Sequence, residues 1–194
     1  MNKRLSLTTQ AHTIIQKQLF CGDTAIDATT GNGYDTLFLA KQVGTQGKVF
    51  GFDLQQQAIN STLSRLENEN TLHNVKLINA CHSQMKKHIA LEYHGKIKTI
   101  MFNLGYLPGS DKSIISQAHS TLLAIQQSLI LLAPAGIISI TAYPGHPGGE
   151  VETEKITKWY QQLNPKQYSQ QLIYSSEKAT APRLFIIQKR VTTE

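Results

Sequence analysis

Short apolar runs alternate with amphipathic stretches along most of the chain. Thr24 to Ala28, Lys48 to Asp53, Val75 to Ala80, Lys98 to Asn103 and Ile137 to Ala142 read as strands. Between them, helical spacing takes over. Ala11, Ile14, Ile15, Gln18 and Leu19 predict a helix over 7–20 that Cys21-Gly22-Asp23 ends, and a second helix spans about 35–43. Ala58, Ile59, Leu63 and Leu66 mark the buried side of a helix over 55–68, and a shorter one covers about 85–92. A long helix over 113–132 has an apolar face of Ile114, Ile115, Ala118, Leu122, Ile125, Leu129 and Leu132. Pro134-Ala135-Gly136 is then a loop, and Ile156 and Trp159 face inward from a helix over 151–163. Tyr168 to Tyr174 and Arg183 to Lys189 suit an antiparallel edge pair. Six or seven strands alternating with helices predict an α/β fold with a doubly wound, mostly parallel sheet. No linker, repeat or low-complexity tract divides residues 1–194, so one domain with an N-terminal helix is expected.

The stretch Ala25-Ile26-Asp27-Ala28-Thr29-Thr30-Gly31-Asn32-Gly33-Tyr34-Asp35-Thr36 is the organising one. It runs from a strand through a glycine-bearing turn into a helix. Gly31 and Gly33 lack a Cβ and let the backbone approach a ligand, while the helix start offers free N–H groups. Twenty residues after Gly33, the second strand ends in Asp53, well placed for the two hydroxyls of a ribose. A dinucleotide fingerprint needs a third glycine where this chain has Thr36. The alternative is the turn that binds S-adenosylmethionine (SAM): an acid followed by spaced glycines, here Asp27, Gly31 and Gly33, with Thr29 replacing the usual first glycine. Asp27 suits an ammonium and a sulfonium and would repel a pyrophosphate, which favours SAM over a nicotinamide cofactor. Taken alone, the stretch also reads as a tight turn with a helix-capping Asp35.

A formal net charge of +6 on 194 residues points to an anionic partner, with RNA the leading candidate. Cys21 and Cys81 make neither a disulfide framework nor a metal pair, so no metal is expected. The basic start MNKRLSLTTQ has no apolar run after it, and Leu129 to Ile140 is broken by Pro134 and Gly136. No signal peptide or membrane span is expected, and a reducing cytoplasm is the default.

Three loops converge on the carboxyl ends of the strands, where ligands of open α/β sheets bind. Cys81, His82 and Ser83 fall where an adenine ring would sit. Asn103-Leu104-Gly105-Tyr106 resembles the Asn-Pro-Pro-Tyr motif of amino-directed methyltransferases, with Leu104-Gly105 in place of the prolines. There an amide oxygen accepts hydrogen bonds from the target N–H groups and aims the nitrogen lone pair, and an aromatic ring encloses the target. Asn103 capping a turn before Pro108 is the plainer alternative. His146, in the Pro- and Gly-rich loop after the fifth strand, is a candidate proton acceptor or phosphate contact, or a loop histidine in water. His12 is either a lid residue or a helix-surface residue. Lys86, Lys87, Lys112, Lys178 and Arg183 are either phosphate contacts or a solvated basic face.

Asp27 to Thr36, Asn103 to Gly109 and Tyr143 to Gly149 together resemble the small bacterial SAM-dependent RNA methyltransferases of the YtqB/MnmM type. The resemblance covers residues 8 to 190. It implies a class I (Rossmann-like) fold, with a seven-stranded sheet and an antiparallel C-terminal strand. It also implies methylation of the exocyclic amine of 5-aminomethyl-(2-thio)uridine at wobble position 34 of tRNA. On that pattern Asp27, Thr29, Gly31, Asn32, Gly33, Asp35, Thr36, Asp53, Gln55 and His82 surround SAM. Asn103 and Tyr106 hold the amine, and Leu104, Gly105, Tyr143, Pro144 and Gly145 shape the substrate pocket. Cys81-His82-Ser83 stands where many class I enzymes have an acid. The catalytic domain itself would grip the tRNA anticodon stem-loop, with a homodimer as one arrangement. The rival readings are an rRNA or small-molecule methyltransferase and a nicotinamide-dependent oxidoreductase.

Overall fold

A computed structural model describes residues 5–105, 118–178 and 180–191. In chain order the elements are α1 (Leu7–Ile15), β1 (Thr24–Asp27), α2 (Tyr34–Val43), β2 (Lys48–Asp53), α3 (Gln56–Asn68) and β3 (Val75–Asn79). They continue with α4 (Met85–His88), β4 (Ile97–Asn103), α5 (Ala118–Leu131), β5 (Leu132–Ala142), α6 (Gly149–Gln161), β6 (Tyr168–Tyr174) and β7 (Arg183–Lys189). The strands form one sheet in the order β3-β2-β1-β4-β5-β7-β6. Only β7 runs against the rest, antiparallel to both β5 and β6. β1 pairs with β2 on one side and β4 on the other, so the strand order reverses there. That reversal leaves a crevice at the carboxyl ends of β1 and β4.

Helices cover both faces, as the alternation of apolar runs and amphipathic stretches requires. One face packs Met85 of α4, Ile125 and Leu131 of α5, and Ile156 and Tyr160 of α6 against Ile26, Phe52, Phe102 and Phe185. The other packs Leu7, Ala11 and Ile15 of α1, Leu39 and Val43 of α2, and Leu66 of α3 against Ala25, Met101 and Leu184. Each fully buried large aliphatic side chain contributes roughly 1.5–3 kcal/mol relative to exposure.

Several elements depart from the expected bounds for local reasons. The first helix stops at Ile15 instead of running to residue 20, because the chain turns there to bury Leu19. The helix expected over 85–92 ends after one turn, where Ile89 adopts an extended backbone and enters the core. On α5 the inward face is Thr121, Ala124, Ile125, Ser128 and Leu131, rotated from the expected one. Thr121 donates to Glu152 Oε1 and Ser128 to the Ala124 carbonyl, so these polar residues reach the interior satisfied. Ile114 and Ile115 lie outside the described residues. On α3 the buried set has Thr62 where Leu63 was expected. Finally, β5 already begins at Leu132. Ile97 pairs with Leu132 but Thr99 with Ile137, so the expected Pro134-Ala135-Gly136 loop survives as a bulge, with Ala135 at φ 59°.

Candidate functional site

Three carboxylates cluster at the strand tips. Asp27 closes β1 and is completely buried. Its oxygens accept from the Thr29 N–H at 3.1 Å and from Thr36 Oγ1 at 2.6 Å. Burial raises the Asp27 carboxyl to about 7, with the charges of Asp35 and Asp53 adding to it and the bonds from Thr36 and Thr29 opposing. Thr36 thus occupies the third-glycine position of a dinucleotide fingerprint with a side chain that serves Asp27.

Asp53 ends β2. Its carboxylate accepts from the Gly31 N–H and the Gln55 N–H, each at 2.9 Å, which draws the turn after β1 over the tip of β2. Asn79 at the end of β3 donates to the carbonyls of Asp53 and Leu54 and braces the same tip. Asp35 sits in the first turn of α2, near the positive end of that helix, and is 6% exposed. Oδ1 of Asp35 lies 2.6 Å from His12 Nε2, and Oδ2 accepts from Asn103 Nδ2 at 3.4 Å.

These groups line a cleft of about 1340 Å³ at the reversal of the sheet. Thr29, Gly31, Asn32, Asp35, Asp53, Gln55 and His82 are on its wall, as are Asn103, Leu104, Gly105, Tyr143, Gly145 and His146. Asp27, Gly33 and Thr36 stand behind the wall and are buried; Pro144 is buried too and does not line the cleft. Gly33 therefore serves packing. It has φ 80°, and a Cβ there would lie 2.9 Å from Thr62 Cα. Thr62 Oγ1 in turn donates to the Gly31 carbonyl, and Arg65 Nε to that of Asn32, so α3 supports the turn from below. Tyr106 lies outside the described residues, as does Lys112.

His82 contributes a buried neutral imidazole. Its Nδ1 lies 3.2 Å from the Ala28 carbonyl, and burial depresses its pKa. A carbonyl only accepts, so Nδ1 carries the hydrogen. Cys81 lies beside it on the wall. His146 Nδ1 is 3.0 Å from the Pro147 carbonyl.

Beyond His12, the sequence reasoning passed over the polar flank of α1. Ser6, Thr8, Thr9 and His12 line the cleft, with Thr8 beside the Tyr143 phenol. Burial raises the Tyr143 phenol. The i, i+3 and i, i+4 spacing of Thr8, Thr9 and His12 was the available signal, a polar stripe opposite Leu7, Ala11 and Ile15. Of the two readings of His12, the structure gives a cleft residue paired with a carboxylate.

Among the described residues, the wall carries Asp35 and Asp53 and neither lysine nor arginine. With Asp27 behind it, this wall suits a cationic ligand and opposes a pyrophosphate.

Comparison with known proteins agrees with this geometry. A chloroplastic tRNA (mnm(5)s(2)U34)-methyltransferase of Arabidopsis thaliana is 41% identical over 161 residues, 79% of this chain. The chain spans 58% of the length of that relative. A solved Streptococcus mutans structure in complex with SAH is 34% identical, with a TM-score of 0.84 over 97% of this chain and 99% of that one. A Clostridium thermocellum structure described as an rRNA methylase is 37% identical, with a TM-score of 0.90 over 96% and 99% of the two chains. The profile of one family, described as "Putative rRNA methylase", matches residues 49–189, from β2 through β7. With most of its sheet inside that match, and a class I methyltransferase architecture around the cleft, this chain belongs to the rRNA methylase family.

Proposed function

We propose that this protein is a SAM-dependent N-methyltransferase acting on the exocyclic amine of 5-aminomethyl-(2-thio)uridine at wobble position 34 of tRNA. One observation carries the reading. A cleft with acidic walls, suited to a cation, abuts an amide, Asn103, whose NH₂ group is turned toward Asp35. That orientation leaves Asn103 Oδ1 to accept from a substrate N–H. The relatives support it: the Arabidopsis protein is named for that base, and the Streptococcus mutans structure holds SAH.

The residues fit the cofactor by their chemistry. Each Asp53 oxygen accepts one backbone N–H and keeps a lone pair for a ribose hydroxyl. Gly31 lets the ligand approach the backbone, and His82 with Cys81 stands at the adenine side. Asp27 and Asp35 supply negative charge for an ammonium and a sulfonium. When bound, SAM supplies an electrophilic methyl group on a cationic sulfur. Asn103 orients the amine, and α1 with Tyr143 limits the access of water. Tyr106 is proposed to enclose the base, and His146 to face the substrate from the loop after β5. The net charge of +6 favours the RNA backbone, gripped by the catalytic domain itself, as a monomer or a homodimer.

Nucleoside analysis of tRNA from a strain lacking this gene is the direct test. Accumulated 5-aminomethyl-2-thiouridine, converted to the methylaminomethyl form by the purified protein with SAM, is the expected result. Unchanged tRNA rejects the reading in favour of an rRNA or small-molecule substrate.

A further inference from the structure

An aliphatic ammonium has no lone pair, so an amine substrate must lose a proton before it can attack. With a pKa of about 10, such an amine is mostly charged at neutral pH. An imidazole on the cleft wall is already coupled to a carboxylate. His12 Nε2 lies 2.6 Å from Asp35 Oδ1. A carboxylate oxygen can only accept, so Nε2 carries the hydrogen and the neutral ring presents its lone pair on Nδ1. The ring lies flat against Phe38, with centroids 3.8 Å apart and planes 4° apart, which holds its orientation. The His12 side chain is 25% exposed and the Asp35 side chain 7%, so the imidazole reaches the cleft while its carboxylate is shielded. The second Asp35 oxygen accepts from Asn103 Nδ2. One carboxylate thus links the imidazole to the amide assigned to the substrate.

We propose that His12 is the proton acceptor for the substrate amine, with Asp35 as the positioning residue that sets its tautomer and orientation. The proposal rests on the N-methyltransferase reading above. An N–H bond of the substrate ammonium breaks and its electron pair stays on nitrogen; that pair forms the new N–C bond as the S–CH3 bond of the sulfonium donor breaks, its electrons staying on sulfur. The proton bonds to His12 Nδ1. The resulting imidazolium is balanced by the Asp35 carboxylate and returns the proton to water after the product leaves.

The other titratable groups around His12 come from separate elements. Asp35 and Tyr34 belong to α2, and Asp27 at the end of β1 lies behind Asp35. Tyr143 and His146 follow β5, Asp53 ends β2, and Cys81 and His82 follow β3. The cleft-lining residues of α1 other than His12 are uncharged. His82 already engages a main-chain carbonyl through Nδ1, and His146 Nδ1 stands against the Pro147 carbonyl.

The test compares wild type with His12→Gln and His12→Ala, using SAM and tRNA bearing the unmethylated aminomethyluridine. Calorimetry should show that both variants retain SAM affinity, while kcat falls about 100-fold. At saturating SAM the kcat of His12→Gln, which depends on the fraction of amine already neutral, should climb with pH more steeply than that of wild type, and added imidazole should restore part of the rate to His12→Ala. Variants with the wild-type rate and pH profile overturn the proposal, and so does a loss of SAM affinity that parallels the loss of rate. A wild-type protein that binds SAM but leaves this tRNA unmethylated overturns the functional reading itself, a different result from active wild type with unaffected variants.

Discussion

Thr29 Oγ1 accepts a hydrogen bond from the main-chain N–H of Asn103 at 2.8 Å, latching the turn after β1 to the tip of β4. These two strands flank the reversal of the sheet, so this bond sets the spacing between the proposed cofactor turn and the amide proposed to hold the substrate. Thr29→Val keeps the β-branched shape and removes the acceptor. The variant should lose about 1–2 kcal/mol in a denaturation experiment and show slower methyl transfer. Thr29→Ser should preserve both.

Asn103→Ala removes the amide and leaves the three carboxylates in place. Methyl transfer to tRNA should drop about 100-fold, while calorimetric SAM binding stays close to wild type. Equal losses in both would assign Asn103 to the cofactor instead.

Asp27, if it serves the cofactor as proposed, predicts a pH dependence of SAM binding. Its carboxyl is raised from 3.8 to about 7 in the folded protein, chiefly by burial. The folded state therefore holds this proton more tightly than the unfolded one. The stabilisation from that proton is full below about pH 4 and fades as the pH rises through about 7. A cationic ligand favours the ionised form, so SAM affinity should climb with pH below about 7, at most tenfold per pH unit, with proton release on binding. Calorimetry in buffers of different ionisation enthalpy measures that release. Asp27→Asn should weaken SAM binding and remove this contribution to its pH dependence.

Gly33→Ala tests the packing role of this glycine. The left-handed φ of 80° and the 2.9 Å approach to the Thr62 backbone leave no room for a methyl group. A cost of about 2 kcal/mol or more is expected in thermal melts. Gly95→Ala, at φ 74° with open space around it, should cost about 1 kcal/mol.

Much of this architecture was legible in the chain because local and tertiary preferences coincide. β2, β6 and β7 have the bounds their apolar runs suggest, and Asp53 falls at the tip of its strand as the spacing from Gly33 requires. The reading failed where a polar residue finds its partner inside. Thr62, Thr121 and Ser128 face inward because each has an acceptor there, and a hydrophobicity pattern does not register that. The spacing of Gly33 points to ligand approach, and the structure adds a constraint from α3, an element 23 or more residues further on, that the spacing does not carry. The coupling of His12 to Asp35 spans 23 positions and carries no spacing signature at all.

The flank of α1 that lines the cleft is fastened to Asp35 through His12 and sets Thr8 beside Tyr143, while Ser6 borders the opening. An affinity handle fused ahead of Ser6 would therefore start beside the mouth of the cleft, on the route that the proposed RNA substrate would take. Purification tags are better carried on the carboxyl end, beyond β7, and turnover measured with an amino-terminal tag would report in part on the tag.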